Sequence, residues 1–199
     1  MNFLESIRFE NRDYQLLRLH QHRVNTTFAT HFPNQKPLAL IDVLPRFEKG
    51  GKYKFRVVYD HETFVIEHSV YRPKEIKCVK MMEANALDYS YKYADRNQLN
   101  QLHAQSGADE IIIVKDGLIT DASYANIACF DGLKWWTPQQ PLLKGIRRQD
   151  LLNRGVLFER RIAPDDLSTF SKVCLINAML DLDEMRIAQD QIIDADERR

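Results

Sequence analysis

The sequence predicts an α+β protein in which a small N-terminal α/β sheet domain, residues 1–75, precedes a larger β-rich domain with helices, residues 76–199. Alternating apolar and polar residues fill the first part of the chain around one helical stretch. Short strands separated by Asp-Gly turns fill the middle of the second part. A chain of 199 residues is long enough to bury a substantial core in this arrangement.

Composition and charge exclude several classes of function. The formal net charge is +0 at pH 7, and no run of lysines or arginines marks a nucleic-acid surface. The apolar stretches are far shorter than the ~20 residues of a membrane helix, and no secretion signal is recognisable, so we expect a soluble, cytoplasmic protein. Cys78, Cys129 and Cys174 are widely separated and the histidines form no cluster, so we expect buried reduced thiols and no metal site.

The N-terminal residues predict a strand pair followed by a helix. Residues 3–9 have the apolar content of a strand, and Tyr14–Leu17 would be its antiparallel partner. From Leu19 the pattern becomes helical and closes before Pro33. Residues 33–45 are expected to form a second helix or an irregular link.

A second hairpin is expected further along the first domain. Residues 52–60 alternate in strand fashion, with Phe55 and Val57 on one side and Arg56 on the other. Residues 63–71 would pair with them across a tight turn. Arg56 could equally be a binding residue or an exposed arginine that pairs across the strands.

The chain then enters the second domain. Residues 74–83 have the composition of a linker strand, and a helix is expected before Gly107, a C-cap candidate. Lys92 is predicted at the start of this helix, and Arg96 would share its face if the helix includes both. From composition alone, Lys92 is best interpreted as a surface lysine of this helix.

Residues 109–148 predict a three-strand meander with an unusual acid. The apolar strand Ile111–Val114 precedes two Asp-Gly turns, Asp116-Gly117 and Asp131-Gly132, which tolerate the positive φ of tight hairpins. Asp121 falls within the second strand. Because a buried aspartate is costly, it needs a cationic or strongly donating partner.

A helix is predicted from Gly145 to Arg154. Arg147 and Arg148 occupy its first turn, where the helix dipole favours acids. A bound anion would resolve this conflict, and the free amides of Ile146 and Arg147 suit a phosphate. Beyond it we expect a helix from Pro164, a buried strand over residues 173–179 and a frayed charged tail, residues 194–199.

These elements, taken in order, resemble the signature of the class IV aminotransferases, which are fold type IV pyridoxal-phosphate enzymes. The family includes branched-chain and D-amino-acid aminotransferases and aminodeoxychorismate lyase. The resemblance covers most of the chain, and the residues that carry it are Glu5-Ser6-Ile7-Arg8, His20-Gln21-His22-Arg23, Lys92, Thr120-Asp121, Ser123-Tyr124-Ala125-Asn126, Thr137-Pro138 and Gly145-Ile146-Arg147-Arg148.

The resemblance implies a pyridoxal 5'-phosphate site. Lys92 would be the catalytic residue that binds the cofactor covalently, Asp121 would face the pyridine nitrogen and Arg23 would hold the phosphate. Further cofactor contacts are expected from Arg96, Ser123, Ile146 and Arg147, and substrate contacts from Arg56, Tyr71, Asn177 and Ala178. Without the resemblance, Ser123 could equally be a hydroxyl of a turn or strand with no binding role. Asn177 could equally be the end of a core strand.

Three departures from the family pattern stand out. Asp121 replaces the usual glutamate, Arg147 stands where the family has threonine, and the N-terminal domain lacks a strand and a Gly-rich loop of the relatives. Lys92 precedes Asp121 by twenty-nine positions, against a little over thirty in the family. The difference is close to one helical turn.

The implied function is transamination of an amino acid by a cytoplasmic homodimer. Aminodeoxychorismate lyase activity, which forms 4-aminobenzoate and pyruvate, is the alternative within the family. A relative without catalysis, serving as a cofactor-binding or scaffold protein, is the alternative from another class. No nucleic-acid or membrane partner is expected.

Overall fold

The computed structural model describes residues 1–193, so the predicted charged tail lies outside the described residues. The chain divides into two compact units. The first contains Met1–Arg72 and Tyr91–Asp95, and the second contains Pro73–Ser90 and the residues from Arg96 onward. The predicted domain 76–199 included residues 91–95, which in the structure pack with the first unit.

The first unit is an antiparallel sheet covered by a helix. Its strands lie in the order β2-β1-β3-β4. Leu16 adopts a left-handed backbone, with φ 55°, immediately before the helix, which is why the predicted strand Tyr14–Leu17 is cut short. The elements are β1 (Phe3–Glu10), β2 (Asp13–Tyr14), α1 (Leu17–His31), α2 (Leu40–Val43), β3 (Tyr53–Tyr59) and β4 (Phe64–Val70).

The core of the first unit lies between β1, β3 and α1. Phe3 and Ile7 of β1 and Phe55 of β3 are fully buried and pack against Val24 and Phe28 of the helix. Side chains alternate along a strand, so the residue between Phe3 and Ile7 on the same face also points toward the helix. That residue is an acid, Glu5.

The second unit is built on a nine-stranded mixed sheet within the described residues. Its main path runs in the order β10-β9-β8-β7-β6-β5-β13, with β11 paired to β8 and β12 paired to β11. Its elements are β5 (Val79–Glu83), α3 (Asn97–Ser106), β6 (Glu110–Lys115), β7 (Leu118–Ala122), β8 (Asn126–Phe130), β9 (Trp135–Pro138), α4 (Ile146–Asn153), β10 (Leu157–Arg160), a 3₁₀ helix (Pro164–Thr169), β11 (Lys172–Ile176), β12 (Arg186–Ile187) and β13 (Ile192–Ile193).

The predicted three-strand meander is a four-strand one, β6 to β9, in which neighbouring strands pair antiparallel. Residues 118–130, between the two Asp-Gly turns, form β7 and β8 rather than one strand, because the chain turns at residues 123–125. The first turn has positive φ at both of its residues, 50° at Asp116 and 72° at Gly117, as the Asp-Gly sequence predicted. The strand predicted over residues 173–179 ends at Ile176, because Asn177 closes a turn there. The α+β fold class is confirmed, and no helix among residues 1–193 is long and apolar enough to cross a membrane.

Candidate functional site

A buried carboxylate, Glu5, joins β1 to α1 in the first unit. Nε and Nη2 of Arg23 donate to its two oxygens at 2.7 and 2.5 Å, and Nδ1 of His20 lies 2.5 Å from Oε2. His20 and Arg23 are three residues apart and therefore share a face of α1. Glu5 and His20 are fully buried, whereas the Arg23 side chain is 14% exposed. Glu5 thus fixes the plane of the Arg23 guanidinium through two parallel bonds.

The charges of this group follow from its partners. Burial alone would raise the pKa of Glu5, but the positive charge of Arg23 and the hydrogen bond from His20 outweigh burial and lower it to about 2. Burial lowers the pKa of His20, although Glu5 opposes this. The pair is therefore a carboxylate and a neutral imidazole whose Nδ1–H is the donor. Nε2 of His20 is buried and, within the described residues, has no hydrogen-bond partner.

Lys92 lies in an extended segment at the edge of β1. The amide of Leu4 donates to the Lys92 carbonyl at 2.9 Å, and the amide of Ala94 donates to the Asn2 carbonyl at 2.9 Å. Lys92 is thus hydrogen-bonded to Leu4, the residue that precedes Glu5. The positive charge of Lys92 is one of the causes that lower the pKa of His20, after burial and Arg23.

The prediction that Lys92 starts a helix shared with Arg96 is wrong. The helix α3 begins only at Asn97, with Arg96 as its N-cap residue. The peptide groups around Lys92 are engaged by β1 and cannot also enter the helical hydrogen-bond pattern. Tyr91 and Tyr93 flank the lysine, and their rings lie 6.4 and 5.4 Å from that of Phe3, which anchors the segment in the core of the first unit.

The two substrate-binding candidates of the first unit are Arg56 in the inner strand β3 and Tyr71 just after the edge strand β4. Arg56 Nη1 donates to Glu67 Oε2 at 3.3 Å across β3 and β4, with 40% and 66% of the two side chains exposed. Tyr71 stacks beneath the Lys52 ammonium at 5.5 Å. Arg56 is on the sheet face opposite the core, so the structure does not bring it next to Arg23. A substrate role for Arg56 or Tyr71 stays a prediction.

Asp121 is the buried acid of the second unit, and it lies within β7 as predicted. Its Oδ1 accepts a hydrogen bond from Asn126 Nδ2 at 2.7 Å, and its Oδ2 accepts one from the Leu143 amide at 2.8 Å. Burial raises the pKa of Asp121 to about 6, although these donors and the charge of Arg148 act in the opposite direction. Its direct partners are therefore neutral donors.

Asn126 links Asp121 to the start of α4. Its Nδ2 also donates to the Leu143 carbonyl at 2.8 Å. A Cβ added at Gly145 would lie 2.0 Å from Asn126 Oδ1, so position 145 cannot carry a side chain without displacing the asparagine. Gly145 provides no side-chain cap for α4, which begins at Ile146. The first amides of this helix are thus suited to an anionic group.

Ser123 lies in the turn between β7 and β8 and is held through its main chain from two sides. Nη2 of Arg96 donates to the Ser123 carbonyl at 2.5 Å, and the Ser123 amide donates to Glu110 Oε1 at 2.9 Å. Arg96 Nε and Glu110 Oε2 are buried and have no hydrogen-bond partner among residues 1–193. The structure therefore brings Arg96 and Ser123 together.

Both arginines in the first turn of α4 pair with acids. Arg147 lies 3.2 Å from Asp150 and 2.7 Å from Asp181, and Arg148 lies 2.7 Å from Glu159. Arg148 is 2% exposed, so its ion pair is largely buried on the arginine side. The positive charges of both arginines at the start of α4 are thus neutralised by carboxylates of the chain itself. A phosphate contact of Ile146 and Arg147 stays a prediction.

Asn177 closes a turn after β11. Its Oδ1 accepts from the amides of Met179 and Leu180 at 2.8 and 3.1 Å, and its Nδ2 donates to the Tyr124 carbonyl at 3.4 Å. Ala178, within this turn, is partly exposed. The structure thus brings Asn177 to the turn that also contains Ser123.

Glu5, His20 and Asn126 take part in these networks, although the sequence indicated no role in the site for any of them. The rule applied to Asp121, that an acid inside a strand needs a partner, identifies Glu5 equally well. His20 is marked by its position three residues before Arg23. Asn126 belongs to the quoted motif, but its contacts with residues 143–145 join segments that are separate in sequence.

A cavity of about 230 Å³ opens in the second unit. Thr120 and Leu142, neighbours of Asp121 and Leu143, line it together with Lys115 and Arg161. None of the predicted site residues lines this cavity, so it does not identify the cofactor position. Among residues 1–193 no group of three or more His, Cys, Asp or Glu side chains could hold a metal ion.

Comparison with known proteins identifies close relatives of the chain. The family model described as amino-transferase class IV matches residues 53–184. An uncharacterized protein of Haemophilus influenzae is 35% identical over 180 residues, which cover 88% of this chain and 96% of that protein.

Solved structures share the fold. One from Haemophilus somnus 129pt, provisionally assigned as a 4-amino-4-deoxychorismate lyase, has a TM-score of 0.85 and 30% identity, covering 91% of this chain and 97% of that one. The fold IV transaminase of Curtobacterium pusillum has a TM-score of 0.71 at 17% identity, covering 99% of this chain and 78% of that one, which indicates the fold alone. The predicted fold type is confirmed.

Proposed function

We propose, from the premise that this chain belongs to the class IV aminotransferase family, that it transfers the amino group of an amino acid with pyridoxal phosphate bound at Lys92. The family depends on this cofactor, and the chain is an enzyme of that kind. The observation that carries the proposal is Asp121, a buried acid whose pKa is raised to about 6 and whose direct partners are neutral.

The second unit fits a group with a basic ring nitrogen and an anionic phosphate. Pyridoxal phosphate supplies an electron sink when its ring nitrogen stays protonated. Asp121 would hold the proton at that nitrogen. The uncapped amides of Ile146 and Arg147 would bind phosphate oxygens. Gly145 leaves room for the Asn126 side chain beside the start of this helix.

The resemblance to the family also assigns roles to two residues of the first unit, Arg23 and Lys92. Arg23, oriented by its two bonds to Glu5, is proposed to hold the phosphate. Lys92 is proposed to form the covalent link and to take the proton from the substrate α-carbon. Arg96 and Ser123 are proposed as further cofactor contacts, and Arg56, Tyr71, Asn177 and Ala178 as substrate contacts.

Borohydride trapping tests this function. Protein loaded with pyridoxal phosphate should absorb in the visible region, and reduction should fix the cofactor to the peptide that contains Lys92. Lys92→Ala should lose both properties and amino transfer, whereas the control Lys115→Ala should keep them. A wild-type protein that stays colourless with added cofactor, or activity that survives Lys92→Ala, contradicts the proposal and favours a non-catalytic relative.

Aminodeoxychorismate lyase activity is the second candidate. It is favoured by the 30% identity to the Haemophilus somnus protein with that provisional assignment. The assay offers aminodeoxychorismate and measures pyruvate release, alongside a panel of amino acids with 2-oxoglutarate as acceptor. Pyruvate without transfer to 2-oxoglutarate selects the lyase, and the reverse selects the aminotransferase.

A homodimer is proposed as the active form, by resemblance to the family. The edge strand β4 supports it, because Phe64, Val65 and Val70 are 45%, 60% and 57% exposed. Light scattering should give twice the chain mass, and Val65→Glu should lower that mass while the exposed control Leu133→Glu should not. A monomeric wild type contradicts this part of the proposal.

A cytoplasmic location is also proposed. Cys78, Cys129 and Cys174 are free thiols, and the first of them is partly exposed rather than buried as expected. Unpaired thiols suit a reducing compartment. Fractionation of cells that express the tagged chain tests the location.

A further inference from the structure

The side chain of Arg147 already has anionic partners within the chain. Its guanidinium lies 2.7 Å from Asp181 and 3.2 Å from Asp150, and the side chain is 11% exposed. Its Nε is buried and has no hydrogen-bond partner in the part of the chain that the structure describes. The positive charge is thus shared by two carboxylates before any ligand is considered.

The partner Asp181 ends a turn that we call the Asn177 turn, residues 177–181. The turn is closed internally, because Asn177 Oδ1 accepts the amides of Met179 and Leu180. Met179 and Leu180 are also buried, at 3% and 0% exposure. Asn177 Nδ2 also ties the start of the turn to the Tyr124 carbonyl, and Arg147 joins its C-terminal end, at Asp181, to the first turn of α4.

The side chain and the main-chain amide of Arg147 differ in how well they suit a phosphate. A phosphate placed at this guanidinium would lie close to Asp150 and Asp181, and like charges repel at such distances. The amide of Arg147 has no such conflict, since it belongs to the uncapped start of α4. The threonine found at this position in the family could not reach Asp181 as an ion-pair partner.

We propose that Arg147 is a positioning residue whose guanidinium holds the Asn177 turn in place, so that it governs substrate binding rather than cofactor affinity. The inference rests on the proposed function, in which the amides of Ile146 and Arg147 bind the phosphate and Asn177 and Ala178 contact the substrate. It assigns to this chain a salt bridge in place of the family's threonine hydroxyl.

Hydrogen exchange of the apoprotein tests the structural half. Arg147→Thr and Asp181→Asn should each speed the exchange of the Met179 and Leu180 amides by about twofold to fivefold, the range of a partly exposed ion pair. Arg154→Thr is the matched control, because Arg154 pairs with the same Asp150 at 3.4 Å but does not reach the turn. Unchanged exchange in the first two variants, or equal acceleration in the control, overturns the proposal.

Ligand titrations test the functional half. With pyridoxal phosphate as the probe, Arg147→Thr and Asp181→Asn should bind within about twofold of the wild type, and both should raise the KM for the amino donor by about fivefold with little change in kcat. The double variant should match the single ones, because both remove the same contact. Arg147→Lys should recover part of the loss.

A direct contact between the Arg147 guanidinium and the phosphate would give a different result. If the guanidinium binds the phosphate, Arg147→Thr weakens pyridoxal phosphate binding by more than about tenfold while Asp181→Asn does not, which overturns the proposal. If even the wild type binds no pyridoxal phosphate, the proposed function fails and the substrate role fails with it. The exchange rates still decide, in that case, whether Arg147 holds the turn.

Discussion

Glu5 and Asp121 are both acids inside a strand and both are excluded from water, yet their pKa values move in opposite directions. Glu5 receives two bonds from a guanidinium and one from an imidazole, and its pKa falls to about 2. Asp121 receives one bond from an amide side chain and one from a main-chain amide, and its pKa rises to about 6. Burial raises the pKa in both cases, and a bonded cation decides whether the carboxylate remains charged.

The comparison separates two uses of a buried acid. Glu5 is charge-balanced by the chain itself, so it is suited to orienting Arg23. Among residues 1–193 no cation is bonded to Asp121, so a protonated ring nitrogen would be a favourable partner for it.

Glu5→Gln should lower the free energy of unfolding by about 3–5 kcal/mol, because it leaves the Arg23 guanidinium without its bonded counter-charge in a mostly buried position. Urea denaturation at pH 7 measures the change. Glu67→Gln is the control, since Glu67 is 66% exposed and should cost less than about 0.5 kcal/mol. Equal costs for the two variants would remove the contrast.

Asp121 should make the protein less stable as the pH rises. Its folded pKa of about 6 exceeds the ordinary value of 3.8, so its stabilising contribution is complete below about pH 4 and is lost as the pH rises through 6. The difference corresponds to about 3 kcal/mol, at about 1.4 kcal/mol per pH unit. Asp121→Asn should flatten the stability profile between pH 4 and pH 7 by that amount relative to wild type.

Glu5 should show the reverse dependence in a more acidic range. Its folded pKa of about 2 lies below the ordinary value of 4.5, so its contribution is present above pH 4.5 and is lost as the pH falls toward 2. Denaturation curves of wild type and Glu5→Gln should therefore converge below pH 4.5. Curves that stay parallel down to pH 2 would contradict the lowered pKa.

Gly145→Ala should cost about 1–3 kcal/mol, because the new methyl group meets Asn126 Oδ1. Displacing Asn126 removes a donor from Asp121, so the Asp121 pKa should rise above 6, which carbon NMR of the carboxyl group measures. Gly50→Ala is the control, since a Cβ there meets no atom within 4 Å and the backbone is not left-handed. An unchanged Asp121 titration in Gly145→Ala would show that Asn126 does not tune the acid.

Arg56→Ala should change the stability by less than about 0.5 kcal/mol, because its pair with Glu67 is exposed. If Arg56 grips the substrate carboxylate as proposed, the KM for the amino donor should rise about tenfold, a loss typical of a charge-assisted contact. The control is Arg46→Ala, another exposed arginine of the first unit. An unchanged KM leaves Arg56 as a cross-strand surface residue.

Local patterns predicted much of the fold. Asp116-Gly117 fixed a hairpin because few other residues adopt positive φ at both positions, and the alternation around Phe55 and Val57 gave β3. The strand at Tyr14–Leu17 was predicted too long, since the left-handed backbone at Leu16 has no pattern of its own. Asp121 was recognisable because an acid inside a strand conflicts with strand propensity.

Contacts between distant segments were not predictable from local patterns. The placement of Lys92 depends on hydrogen bonds to the first four residues of the chain, which no spacing near Lys92 reveals. The close approach of Asn126 to Gly145 likewise joins a turn to a helix start. The conflict between Arg147 and the helix dipole is visible in the sequence. Its partner Asp181 is not, because it lies far from Arg147 along the chain.

The bonding of residues 91–95 to β1 has a consequence for synthesis on the ribosome. Domains commonly fold in order as the chain emerges. Strands β1 to β4 are complete by Val70, but the edge of β1 acquires its last neighbour only when Asp95 has left the exit tunnel. A nascent chain stalled after Arg72 should therefore resist protease less than one stalled far enough beyond Asp95 to expose it.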